Sequence, residues 1–217
     1  MECAIWFDPN DVERRLKTLG LTFEECVRVV NAMVAAFNGC TDNDPPTAAG
    51  WDAWRFGTRT FRDVKRSHGW EKDDQDNLST IVHPDRAFRI AVVNTNEATG
   101  VREAQPKNKS AKGSGSERAV RLNREPPLPI PEFLKEYEEA LAAAARSDAP
   151  IWYLCAYISN DAVRAELSFP MTVEGGYLCN WRERIILIDQ NGPVCDVRGR
   201  DDDDYGPDFD IPVRRKR

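Results

Sequence analysis

Histidine is nearly missing from this chain of 217 residues, which has only His68 and His83. Neither lies in H-E-x-x-H, in H-x-E followed by P-C-x-x-C, or at a spacing that presents two metal ligands on one helix face, so zinc hydrolase and zinc deaminase chemistry is not signalled. No metal and no cofactor is expected. G-x-S-x-G, G-x-x-x-x-G-K-[ST] and G-x-G-x-x-G are missing too, and with them the local signs of α/β-hydrolases, P-loop NTPases and dinucleotide sites. The six cysteines form no C-x-x-C pair, which removes the zinc-ribbon and thioredoxin readings. Cys26, Cys155 and Cys179 fall in apolar patterns, where a thiol serves as a small hydrophobe. No apolar run approaches the ~20 residues of a membrane helix. The opening residues, Met1 to Asp8, lack the basic start of a signal peptide, so a cytoplasmic protein without a membrane contact is expected.

Positive charge is also in deficit. Thirty Lys and Arg against 36 Asp and Glu leave a net charge of -6 and a pI near 5.1. Affinity for nucleic acid rests largely on neutralised phosphates, so a protein coated by nucleic acid over its whole surface is excluded and only a local basic patch remains open.

What is present reads as helices first. Asp8 followed by Pro9 is an N-cap with proline at the first helical position, and the helix runs to Gly20. Thr22 to Glu25 has the form of a capping box and opens a buried helix closed by Asn38-Gly39. Trp51, Trp54, Phe61 and Val64 then form an apolar helical stripe, with Arg55, Arg59, Arg62, Lys65 and Arg66 on the opposite face. That face is either solvated charge or a surface for phosphate or acidic groups.

Strands follow. Residues 78–82 and 88–93 bracket His83-Pro84-Asp85-Arg86 and read as a hairpin. A helix is expected over 132–146, where Pro131 precedes acids and an alanine run. Residues 151–158 are apolar on both faces and read as the central strand. Residues 163–169 alternate and read as its one-sided antiparallel partner, and 184–188 add another strand. The fold class is therefore α+β, with N-terminal helices packed on a mixed, mainly antiparallel sheet, in a single domain over 1–195. Residues 94–130 form a long basic loop or insertion, and 196–217 a charged, mobile acidic tail.

His83-Pro84-Asp85 is similar to the contact motif of J-domain co-chaperones. The resemblance covers three residues and would imply two flanking helices, the first of them basic. Here the preceding run, Asp73-Asp74-Gln75-Asp76, is acidic and both flanks read as strands.

The main anion-binding candidate is the Gly/Ser/Lys segment. Between Val101 and Arg124 seven basic residues stand against Glu103 and Glu117. Lys107, Lys109, Lys112 and Arg118, with Gly113 and Gly115 at a helix start, are the expected anion-binding set. Glu97, Glu166 and His83 are weaker candidates for acid/base work. Glu166 sits on the polar face of its strand, but no PD-x(n)-E-x-K arrangement accompanies it. Phe209, Ile211 and Val213, set among acids and a proline, resemble a docking segment that orders on a partner.

The residues together lead us to expect a non-catalytic cytoplasmic binding protein of bacterial or phage style, with a protein partner and a contact to nucleic acid or nucleotide through the basic loop. Two alternatives stand beside it. One is an enzyme acting on a phosphate-containing substrate, nuclease-like or phosphotransfer-like, in which the loop cations and Glu97 or Glu166 converge on one pocket. The other is a structural subunit of an oligomer whose number of copies the sequence leaves open.

Overall fold

The computed structural model describes residues 2–124 and 149–195. The helix expected at 132–146 and the tail from 196, with Phe209, Ile211 and Val213, lie outside the described residues.

After β1 (Ala4–Trp6), α1 (Pro9–Thr18) starts where its sequence puts the cap: the Asp8 carboxylate accepts from the N–H groups of Asn10 and Asp11, and Pro9 fills a position that has no need of a donor. α2 (Phe23–Asn38) begins with the full capping box. Thr22 Oγ1 accepts from Glu25 N at 3.1 Å, and the Glu25 carboxylate accepts from Thr22 N at 2.9 Å. α3 (Ala48–Arg66) then crosses α2.

The remaining elements build and cover a sheet: β2 (Glu71–Asp73), β3 (Thr80–Val82), β4 (Arg89–Asn94), α4 (Ser114–Arg121), β5 (Ile151–Ile158), β6 (Val163–Glu174), β7 (Tyr177–Asp189) and β8 (Gly192–Pro193). The order is β1-β7-β6-β5-β4-β3-β2, with β8 paired to β7. Among the described residues only β1–β7 and β4–β5 run parallel. The α+β class and the mixed sheet therefore stand, with β5 at the centre.

Each face of this sheet has its own cover. One face, with Ile90, Val92, Trp152, Leu154, Leu167 and Ile185, packs on α1 to α3. The other, with Ala91, Val93, Ile151, Tyr153, Cys155, Leu178 and Trp181, packs on Ala119 and Val120 of α4. Burial pushes the Cys26 thiol up to about 12 and the Cys155 thiol well above its usual value, so both behave as small hydrophobes.

Two expectations are corrected. Of the long loop or insertion expected over 94–130, the described part between β4 and α4 holds neither helix nor strand, but it is pinned to the sheet. Thr95 bridges Asn108, whose side chain donates to Ser110 O and Gly176 O and accepts from Leu178 N. This return, with α4, covers the second face. For that reason β6 is not one-sided, and its polar residues Glu166 and Ser168 are both fully buried.

The second correction concerns α3. Its buried face is Ala53, Gly57, Thr58, Phe61 and Lys65, whereas Trp51 is 59% exposed and Trp54 half-buried. The reason lies at Gly57, where an added Cβ would fall 2.5 Å from Met33 Cγ and 3.2 Å from Val92 Cγ1. Helix and sheet approach so closely that small residues face inward and indoles are pushed to the rim. Gly57→Ala should therefore lower stability by about 1–3 kcal/mol from overpacking, less up to ~1 kcal/mol of helix propensity regained. Urea unfolding reads the balance, and a gain in stability would contradict the close approach.

No helix among the described residues is long and apolar enough to cross a membrane.

Candidate functional site

The three acid/base candidates do not meet. His83 is wedged between Trp70 and Phe88, with ring centroids 4.9 and 5.0 Å away, and its Nδ1 accepts from Asp85 N at 3.2 Å across the hairpin turn. Both flanks of that turn, β3 and β4, are strands, so the helix pair of a J-domain contact motif is not formed. Glu97 is exposed, and its carbonyl accepts from Arg164. Glu166 is fully buried and engaged on both oxygens. Oε1 accepts from Ser168 Oγ at 2.6 Å and Arg184 Nε at 2.9 Å, and Oε2 from Gly100 N at 2.8 Å and Arg184 Nη2 at 2.6 Å. Arg184 goes on to donate to the carbonyls of Val101 and Ala104, so this ion pair fastens the 95–107 return to the sheet.

The anion-binding candidates are strung along the second face and lean on different elements. Lys107 N donates to the Asn96 side chain. Lys109 Nζ lies 5.5 Å from the Tyr157 ring centre on β5. Lys112 N donates to Gly176 O at the β6–β7 turn, and burial pulls its ammonium below the usual lysine range. Gly113 caps α4 without a side-chain bond, while a Cβ on Gly115 would meet Asp76 O at 2.7 Å. Arg118 is paired with Asp76 at 2.7 Å. The start of α4 is thus closed on one side by an acidic turn of the same chain.

A different set does converge. A groove of about 320 Å³ runs beside α3 and is lined by Trp54, Arg55, Thr58, Arg59, Arg62, Asp63, Arg66, Lys72 and Ser79. The helix supplies the arginines at i, i+4, i+7 and i+11, which fall along one side of a 3.6-residue turn. The opposite wall comes from Lys72 of β2 and Ser79 just before β3.

Arg62 ties the two walls. It donates to Thr80 O and Asp73 O and to the Asp74 carboxylate, with Nη2 2.6 Å from Oδ1. That hydrogen bond holds the Asp74 carboxyl below its ordinary range. Arg55 is 3.1 Å from Asp52, and Arg59 is 3.6 Å from Asp63. Among the described residues no carboxylate lies within ion-pair distance of Arg66 or Lys72.

One polar atom in the wall is unsatisfied. Thr58 is 8% exposed, and its Oγ1 has no hydrogen-bond partner among the described residues. A buried hydroxyl left unpaired costs about 1–3 kcal/mol. At the head of the groove Trp54 packs against Trp51, with centroids 4.9 Å apart and planes tilted by 45°. Chemically this is a strip of guanidinium donors with hydroxyls in its floor and an indole platform at one end. Guanidinium forks match phosphate and carboxylate oxygens. Among the described residues no group of three or more His, Cys, Asp and Glu is placed to hold a metal ion.

The arginine periodicity of this site was visible in the sequence as a basic helix face. Lys72 and Ser79 were not, because only the fold of β2 and β3 against α3 makes them neighbours.

No family model matches the chain, and no curated protein or solved structure is significantly similar to it. The class rests on fold and site together: an α+β sheet protein, covered on both faces, with a cationic groove along one helix.

Proposed function

We propose that this chain is a non-catalytic binding protein of the cytoplasm and that the α3 groove is its surface for a phosphate-bearing ligand. The observation that carries the reading is the excess of cationic side chains in one concavity. Of the five that line it, Arg55, Arg59 and Arg62 are paired with Asp52, Asp63 and Asp74, while Arg66 and Lys72 have no carboxylate within ion-pair distance among the described residues, and Thr58 adds an unpaired hydroxyl. A phosphate brings acceptors on every side and would satisfy several of these donors at once.

The basic segment at 101–124 is the less supported surface, since Lys112 and Arg118 are already held by burial and by Asp76. The enzyme reading asks for a free acid or base beside the anion. Among the described residues the only carboxylate lining the groove, Asp63, faces Arg59.

Calorimetric titration of the full chain with tripolyphosphate tests the proposal. Arg59 and Arg66 are the residues to remove, because both are exposed and, unlike Arg62, neither ties the strands together. A charged hydrogen bond contributes about 1.5–3 kcal/mol, so each arginine lost should weaken binding by about tenfold or more. The double variant Arg59→Ala/Arg66→Ala should keep the parental unfolding midpoint. Absence of measurable binding by the parent chain, or unchanged affinity in the double variant, overturns the assignment of this groove.

A further inference from the structure

Resting on that anion-binding reading, we infer that the ligand is single-stranded nucleic acid, its bases stacked on Trp54 and Trp51 and its phosphates carried along Arg55, Arg59 and Arg66.

The first argument is the platform. Trp51 is 59% exposed, and Trp54 beside it is half-buried in the groove wall. An indole held open to water next to a guanidinium strip is costly for a surface that binds small inorganic anions, and it contributes nothing to phosphate. Every nucleobase has a π-face that an indole can stack on, whatever its sequence.

The second argument is length. From Arg55 to Arg66 the helix rises by about 16 Å at ~1.5 Å per residue. Each phosphate along one strand of a duplex advances about 3.4 Å of helix axis, so the strip is longer than one phosphate and suits a polymer better.

The third argument is shape. α3 is fixed from behind, with Ala53, Gly57 and Phe61 buried, so its arginine side forms the wall of a concave groove. Entry of a duplex major groove needs a protruding helix. A flexible single strand can lie in a concavity. Ser79 Oγ in the opposite wall donates to Asp74 Oδ1 at 2.9 Å and keeps lone pairs that accept from a base edge or sugar without dictating a sequence.

The test compares three probes on the full chain by fluorescence anisotropy or calorimetry: a labelled oligothymidylate, an abasic strand with the same number of phosphates, and tripolyphosphate, with a DNA duplex and polyglutamate as two controls. The base-bearing strand should bind at least about tenfold tighter than the abasic one, the effect of one or two stacked bases. Trp51→Ala, at an exposed residue outside the groove lining, should reduce that preference severalfold and leave tripolyphosphate binding unchanged. Arg59→Ala/Arg66→Ala should weaken all three. Equal binding of base-bearing and abasic strands, tighter binding of duplex than of single strand, or tighter binding of polyglutamate than of the oligonucleotide overturns the nucleic-acid inference and leaves the anion groove standing. No binding of any probe overturns both.

Discussion

Glu166→Ala should unfold at a much lower denaturant concentration than the parent chain, with a loss of about 3–5 kcal/mol. Arg184 and Glu166 have side chains only 2% and 0% exposed, so neither is screened by water. Removing the carboxylate leaves the guanidinium in the sheet face with backbone carbonyls and no counter-charge. It also frees Gly100 N, whose only bond to the sheet is the one to Glu166 Oε2 at 2.8 Å.

A mild substitution cannot relieve that site. Gly100 adopts φ +72, and a Cβ there would fall 2.6 Å from Ile188 O, so the return can approach β7 only as glycine. The informative control is the double variant Glu166→Leu/Arg184→Met. Replacing both charges with apolar groups removes the desolvation cost along with the attraction, and it should recover much of the loss. Chemical denaturation of the parent, Glu166→Leu, Arg184→Met and the double variant closes a double-mutant cycle. If Glu166→Ala lost less than about 1 kcal/mol, the pair would be behaving as a surface bridge and its burial would be wrong. Protection of the 96–107 amides from exchange should fall in the single variants more than protection of β5 does.

Glu25→Ala is expected to cost about 3–4 kcal/mol for a related reason. The Lys65 side chain is 3% exposed, and its ammonium is held by Glu25 Oε1 at 3.0 Å, Glu25 Oε2 at 2.9 Å and Gly20 O at 2.8 Å. Nζ also lies 5.2 Å from the Trp70 ring centre. Without the carboxylate this buried charge keeps one carbonyl and one aromatic face. The same substitution breaks the capping box, because Glu25 Oε2 accepts from Thr22 N.

Lys65→Met should cost less, about 1–2 kcal/mol. The methionine keeps most of the buried stem, and the Glu25 side chain, 16% exposed, retains the cap and some water. The order of the two variants in thermal or urea unfolding is the measurement that decides. A larger loss for Lys65→Met would mean that the stem, and not the charge, holds α2 to α3.

Lys65 also shows where the sequence misleads. It stands beside Arg62 and Arg66 in the pattern of a solvated basic face, and nothing within a few residues announces that Glu25, forty positions earlier, will meet it. Trp51 and Trp54 mislead in the opposite direction, because large apolar residues at helical spacing look like core. Gly57 and Ala53 permit the approach of α2, and that approach decides which side of α3 turns inward.

Glu166 is a third case. Alternation along β6 implies one wet face, but the opposite face of the sheet is covered by a return with almost no periodic pattern of its own. The three-residue strands β1, β2 and β3 differ in the same respect. β3 was legible from the turn beside it, whereas β1 and β2 are defined only by the strands they pair with.

What the sequence determined by itself was therefore local. The caps at Asp8 and Thr22, the hairpin turn at His83 to Arg86, the β5 run from Ile151 to Ile158 and the arginine period of α3 each depend on residues within a turn or two of one another. Scarcity of histidine likewise limited the available metal and acid/base chemistry before any fold was known. Tertiary structure decided what lies against what: the burial of Glu166 with Arg184 and of Lys65 with Glu25, the covering of the second sheet face, and the joining of Lys72 and Ser79 to the arginines in one groove. Those contacts join residues tens of positions apart, and their free energy comes from excluding water between surfaces that meet only once the chain has folded.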